Sequence, residues 1–322
     1  MNVLVTGGSG YVGSALVPLL AKTHRVRVLE TMAFGNPIVG TEGVDFMKGD
    51  ITDPGIVWAA MRDMDAVIHL AGIVTDDLVD LNKDYGYRDN VEATSLLVGT
   101  AVSHRVKAFI FASSSSVYGY AAGGDGKVTE AVTPEPQTAY ARQKLEAESL
   151  LDSKRMRTVA VRSATCMGPA PRMRLDTVVN VFSKQAYFDK KITVHGGEQY
   201  RSNVHVEDVA QWYKFALENE IAGVYNVTET NMKVRQIAYE VAGAALSFGL
   251  ERPEVVIQDV PDPRSYRLDA SKAKATGWMP KKGIYQAALD NFEWFKAGGI
   301  TDPNSDVYYN TKRMKETVTR AR

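Results

Sequence analysis

The sequence predicts an α/β protein built on a doubly wound parallel sheet, with a smaller α/β unit formed mostly by the C-terminal half. Three observations predict it. Short β-branched runs alternate with longer helical stretches through the first half, a glycine-rich turn joins the first run to the first helix, and the alternation loosens after about residue 165. Strands that alternate with helices pair in parallel through right-handed crossovers, and helices cover both faces of the sheet.

Val3 to Val5 is the first strand, and the glycine turn leads from it into a helix over Tyr11 to Lys22. Arg25 to Leu29, Val44 to Lys48, Ala66 to Leu70, Lys107 to Ala112 and Thr158 to Val161 give five further strands, rich in residues that suit a pleated surface. Helices are expected over Asn90 to His104 and Ala141 to Leu151. In the second half the pattern predicts helices over Leu175 to Phe188, Glu207 to Leu217, Val234 to Ala245 and Ile284 to Phe295. Short strands fall at Lys191 to Val194 and Val224 to Val227, while Pro261, Pro263 and the polar stretch after Gly298 mark loops. This divides the chain into a nucleotide-binding unit over 1–165 with returning segments at about 201–228, a substrate unit over 166–200 and 229–298, and a tail over 299–322. The mildly basic end of that tail, Asn310 to Arg322, reads as a solvated terminus.

Composition narrows the partners. The chain of 322 residues carries 38 Lys plus Arg against 38 Asp plus Glu, so no net charge draws it to nucleic acid or to an anionic membrane. The single cysteine, Cys166, rules out an intramolecular disulfide and a cysteine-rich metal site, so no metal is expected. That usage suits a reducing compartment, and the expected location is cytoplasmic. No apolar run reaches membrane-spanning length, and the N-terminus lacks the charged and apolar regions of an export signal.

The turn Gly7-Gly8-Ser9-Gly10-Tyr11-Val12-Gly13 follows the first strand and opens the first helix. Gly7, Gly10 and Gly13 have the spacing that allows a tight turn and lets the backbone approach a pyrophosphate. The helix N-terminus then offers N–H groups and a partial positive charge. Such a turn between a strand and a helix, with an acid ending the next strand, points to a Rossmann dinucleotide site. The acid is Glu30, which can accept hydrogen bonds from the adenosine ribose hydroxyls and would repel a 2′-phosphate. No Arg or Lys follows it through Phe34, which favours NAD over NADP. Asp50 and Ile51 after the third strand, and Leu70, Ala71 and Gly72 after the fourth, are placed to line the nucleotide cleft.

Tyr140 and Lys144 stand four residues apart, and on a helix their side chains share a face. A phenol titrates near pH 10 in water, and a neighbouring ammonium would lower that value toward the working range of a general base. Upstream, Ser113 to Ser116 follow the fifth strand, where a hydroxyl could bond a reacting oxygen.

Cradle, acid, serines and Tyr–Lys helix occur in this order along the chain, which resembles the extended short-chain dehydrogenase/reductases, the epimerase/dehydratase family that mostly acts on nucleotide sugars. The resemblance covers essentially the whole chain, through TGGSGYVG at 6–13, SSSSVYG at 113–119, YARQK at 140–144, RSNVHVEDVA at 201–210, VYNV at 224–227 and DASKA at 269–273. It implies that Tyr140 is the catalytic acid/base and that Lys144 lowers its pKa and holds the nicotinamide ribose. Ser114 falls at the catalytic hydroxyl position, with Ser116 as a second candidate. By the same likeness Tyr11, Val12 and Asn90 join the cofactor residues and Arg201 faces the substrate's diphosphate. The chain departs from related epimerases in having Thr165 in place of an asparagine and Asp259 in place of a second arginine, a place that Arg264, with Arg172 and Arg174, is expected to fill. A homodimer through the helices around Asn90 to His104 and Ala141 to Leu151 is the family expectation.

The resemblance also narrows the reaction. Members that dehydrate sugars carry Asp-Glu directly after the catalytic hydroxyl, and this chain has Ser115 and Ser116, which disfavours a 4,6-dehydratase. Members that epimerise at two carbons use a cysteine, whereas Cys166 reads as a small buried hydrophobe. The expected reaction is therefore a nucleotide-sugar epimerisation by transient hydride removal at C4. The alternatives are a C4 dehydrogenase or 4-ketoreductase and, in another class, a non-catalytic nucleotide-sensing scaffold.

Overall fold

The structure is a computed structural model and describes residues 1–119, 126–151, 154–260 and 265–320. Pro261, Pro263 and Arg264 lie outside the described residues, so the loop and the substrate contact expected there are not placed.

The strands are β1 (Asn2–Thr6), β2 (Arg25–Glu30), β3 (Val44–Lys48), β4 (Ala66–His69), β5 (Ala108–Ala112), β6 (Arg157–Ser163), β7 (Thr165–Met167), β8 (Lys191–His195), β9 (Tyr200–His205), β10 (Gly223–Val227), β11 (Thr230–Lys233) and β12 (Glu254–Gln258). The helices are α1 (Tyr11–Ala21), α2 (Pro54–Met61), α3 (Asp76–Leu81), α4 (Lys83–Tyr87), α5 (Ala93–Ser103), α6 (Ala139–Ser149), α7 (Val178–Lys184), α8 (Val206–Glu218), α9 (Val234–Ser247), α10 (Ser271–Ala275), α11 (Ile284–Lys296) and α12 (Asn310–Arg320).

Seven strands form one parallel sheet in the order β10-β6-β5-β4-β1-β2-β3. This is the expected Rossmann-type α/β fold. The order reverses between β1 and β4, and a doubly wound sheet opens its ligand crevice at the carboxyl ends of the strands beside such a reversal. The Val3, Leu4 and Val5 side chains of β1 are fully buried, alternating between the two faces. Val3 and Val5 meet Val28, Ile68, Ile110 and Trp212 on the side covered by α1 and α8. Leu4 meets Val67, Phe109 and Phe111 on the other side, under α2 and α5. Arg157 closes the far end of α8 by donating to the carbonyls of Ala216, Leu217 and Ile221.

A separate apolar cluster, including Phe182, Ile192, Val194, Ile237 and Phe292, joins α7, α9 and α11 to β8. Two small sheets, β11-β9-β7 and β12-β8, accompany it. Tyr11 links the two bodies of packing. It stands at the start of α1, yet its ring is buried in this second cluster, and its hydroxyl donates to the Gly168 carbonyl at 2.5 Å.

Two expectations are corrected. The helix expected over Leu175 to Phe188 is regular only from Val178 to Lys184 and continues as a π-helical turn, Gln185–Asp189. Its predicted start is taken up by the Arg174–Asp176 ion pair and by the Leu175 N–H, which donates to the Tyr308 carbonyl. The second correction is larger. The tail expected to be solvated forms α12, with Val318 fully buried against α3. Met314 and Val318 recur one turn apart and make an apolar stripe that outweighs the polar composition of the segment.

Candidate active site

The cradle forms because its glycines are needed sterically. Gly7 has φ +74°, and a Cβ there would lie 2.6 Å from the Ala71 nitrogen. A Cβ on Gly13 would lie 2.3 Å from the Gly7 carbonyl oxygen, which is fixed by its bond from the Gly10 N–H. Gly10 starts α1 without a side-chain cap, so the first-turn N–H groups are left for an anion. Glu30, at the end of β2, accepts from the N–H groups of Ser9 (3.2 Å) and Met32 (3.3 Å), while burial pushes its carboxyl up. An uncapped helix end over a floor without side chains, with a carboxylate beside it, suits a dinucleotide.

One cleft of about 790 Å³ runs from this cradle to Tyr140, Lys144 and Arg201. Val12, Asp50, Ile51, Leu70, Ala71 and Gly72 all lie on its wall. Asp50 accepts from the N–H and hydroxyl of Thr52, which fixes the turn after β3. The two remaining residues of the cofactor set behave differently. The Tyr11 backbone stays at the cradle, but its side chain points into the second cluster. Asn90 does not line the cleft. Its side chain accepts from the Ile73 N–H (2.9 Å) and donates to the Ile73 carbonyl and to Gln143, bracing the loop after β4.

Thr138 caps α6 by accepting from the Ala141 N–H, and the helix carries both Tyr140 and Lys144 onto the cleft wall. The Lys144 ammonium is buried, donates to the Ala112 carbonyl at 3.0 Å and loses affinity for its proton through burial, down to about 8. The Tyr140 phenol moves in the opposite direction from the expectation. Burial pushes it up to about 12, assisted by the Asp76 charge and opposed by a hydrogen bond with Ser114 and by Arg174. The reason is that desolvation of the phenol outweighs its hydrogen bond with Ser114 and the Arg174 charge. Ser114 in turn accepts from the Ser116 hydroxyl at 2.9 Å, so both serine candidates join the Tyr140 chain. Beneath them Ser113 donates to Glu148, which forms a buried ion pair with Arg162 at 2.6 Å.

Thr165, Arg172, Arg174 and Arg201 also reach the cleft. Arg174 is tied to Asp176 at 2.7 Å, and Arg201 faces the Tyr266 ring. Arg172 is stacked at 3.9 Å over Phe34 in the loop after β2. Cys166 is half-buried on the cleft wall, and burial pushes its thiol up to about 12, far from a thiolate at neutral pH. Sequence reasoning missed Phe34, Asp76, Tyr213, Asn310 and Met314, all on the wall. Only the last two had a readable signal, the 310-314-318 spacing. Among the described residues no His, Cys, Asp or Glu cluster could hold a metal, and no helix is long and apolar enough to cross a membrane.

This fold is shared with known proteins. The model of the NAD dependent epimerase/dehydratase family matches residues 3–228, and the chain belongs to that family. It is an NAD-dependent enzyme. A UDP-glucose 4-epimerase of Thermus thermophilus, solved with NAD, superposes with a TM-score of 0.82 at 27% identity, covering 92% of this chain and all of that one. A dTDP-glucose 4,6-dehydratase of an Actinoplanes species is 26% identical over 92% of this chain and 98% of its own length. The low-salt glycan biosynthesis protein Agl12 of Haloferax volcanii is 27% identical over 87% of this chain and 94% of its own.

Proposed function

We propose that the chain is a nucleotide-sugar epimerase that inverts a sugar carbinol, at C4, with Tyr140 as acid/base. The observation that carries this reading is the hydroxyl chain Tyr140–Ser114–Ser116 beside Lys144, with serines rather than carboxylates at 115 and 116. Bound NAD would supply the hydride acceptor. Gly7, Gly10, Gly13, Glu30, Asp50 and the backbone of residues 70–72 would hold it along the cleft.

Burial holds the Tyr140 phenol up to about 12, so it acts once deprotonated. The phenolate takes the proton from the substrate hydroxyl and returns it to the same substrate oxygen after the carbon has regained its hydride on the other face. Electrons and protons therefore balance over a full turnover. Ser114 bonds the phenol oxygen and steadies it while its charge changes. Lys144, fixed by Ala112, places a cation on the cleft wall beside Gly72. Thr165, Arg174 and Arg201 lie on the part of the wall suited to the substrate's sugar and diphosphate, where guanidinium groups offer paired donors. Neither serine can remove water from the sugar as a carboxyl–carboxylate pair does.

NMR of UDP- and dTDP-sugars incubated with the purified enzyme should show the C4 epimer, without net NADH. Tyr140→Phe should keep NAD and lose about 10²- to 10⁴-fold in turnover. A 4-keto-6-deoxy product would overturn the epimerase reading in favour of the dehydratase. Steady accumulation of NADH with a keto-sugar would replace it with a C4 dehydrogenase.

A further inference from the structure

Helix α12 touches three sides of the cleft. At its start, the Asn310 N–H donates to Asp176 at 2.9 Å, and the Asn310 side-chain oxygen accepts from Arg172 at 2.5 Å, so the helix is bound to the second half of the chain. One turn on, Arg313 donates to the Ala33 carbonyl at 2.9 Å, in the loop that follows β2 and Glu30. Further on, Met314 and Val318 pack into the cluster that holds Leu78, Val79 and the Tyr140 ring, and Asn82 donates to the Val318 carbonyl at 3.1 Å. Asn310 and Met314 themselves line the cleft.

Arg172 is an independent observation. Its side chain is 4% exposed, it lines the cleft, and its Nε has no hydrogen-bond partner. Its backbone N–H is anchored on the hydroxyl of Ser14 in α1, and its guanidinium spans from Phe34 to Asn310. The nearest influences on it are another cation, Arg174, and the more weakly felt Asp176, Tyr11 and Glu30, and burial lowers its proton affinity to about 9. A buried cation in that state is stabilised by an anion. The uncapped start of α1, where a diphosphate would lie, lines the same cleft.

We propose that α12 is a strap that retains the cofactor, and that Arg172, held from above by Asn310, is a clamp on the cofactor's diphosphate rather than a substrate residue. The glycine turn receives the dinucleotide from below, the strap and clamp close it from above, and NAD cannot leave without α12 detaching. This rests on NAD dependence alone, not on the epimerase reading, so the two can fail separately.

The test measures NADH release by stopped-flow displacement, and affinities for ADP-ribose and adenosine by calorimetry. The proteins are the full chain, Arg172→Met, Asn310→Ala and a chain ending at Tyr309. Asn310→Ala and the shortened chain should release NADH faster by about tenfold or more. Arg172→Met should weaken ADP-ribose by a similar factor and leave adenosine unchanged. Release at the wild-type rate from both strap variants would overturn the strap. Equal losses for ADP-ribose and adenosine, or none, would overturn the clamp. Should the shortened chain fail to fold, Asn310→Ala alone decides the strap, since it removes little more than one side-chain amide.

Discussion

The two walls of the cleft are built differently. The cradle wall is local: Gly7, Gly10 and Gly13 lie within one turn, and Glu30 closes it at the end of the adjacent strand. The opposite wall is assembled from distant segments, with Thr165, Arg174, Arg201 and Asn310 drawn together by long-range packing. The local wall has little freedom to change because its contacts are backbone on backbone. The assembled wall is made of side chains that can be exchanged one at a time. A scaffold of this kind keeps its cofactor and varies its substrate.

The comparison breaks most readily at Gly13. Gly13→Val puts a side chain against the Gly7 carbonyl, which cannot retreat, and should weaken NAD binding by about a thousandfold or more, roughly 4 kcal/mol. If calorimetry finds NAD affinity within a few-fold of wild type, the local wall is not rigid.

The next effect lies at Lys144, on the border between the walls. The unfolded chain holds this proton up to the ordinary 10.5, whereas the folded chain releases it near 8. Between those values the unfolded state binds more protons, so the stability of the cofactor-free protein should rise with pH. From pH 8 to 10 the gain from Lys144 is about 2 kcal/mol, and Tyr140 begins to oppose it as the pH nears 10. Urea titrations of wild type and Lys144→Met should show a steeper rise in the first, the difference being the Lys144 share, while the buried Arg172 leaves a smaller rise in both. Equal slopes would mean that Lys144 is not buried as described.

The assembled wall should respond more gently and selectively. Arg201→Ala should raise KM for a nucleotide sugar by about 10- to 30-fold, roughly 2 kcal/mol, with NAD affinity unchanged. A parallel loss of NAD affinity would show that the walls are not separable. Smallest of all, Ser116→Ala removes only an outer link of the hydroxyl chain and should lower kcat by less than about tenfold.

What could be read from the sequence follows the same division. Most strands of the first half were legible because they bury an apolar run of their own, as Ala66 to His69 does on both faces, although the edge strand β3 buries none of its residues. The cradle was legible because its constraint is carried by neighbouring glycines. The placement of Arg172 was not, because position 172 says nothing of Phe34, and the likeness that assigned it to substrate carries no geometry. The Tyr140–Lys144 spacing put both groups on one wall, but the sign of the phenol's shift depended on how deeply the phenol sits. Helix α12 was hidden by composition. A basic, polar segment looks solvated until the few apolar positions on one stripe meet a surface able to receive them.

The strand β10 has a consequence for how the molecule is made. It completes the main sheet by pairing with β6, yet the intervening chain, from Ala164 to Ala222, must be synthesised first. During translation the open edge of β6 is a template for unwanted pairing, and a nascent chain halted before Val227 should be prone to aggregate. The nucleotide half is therefore not a cassette that can be cut free at the end of β6. A gene fragment that stops there should yield insoluble product, while one extended through β10 recovers the missing neighbour.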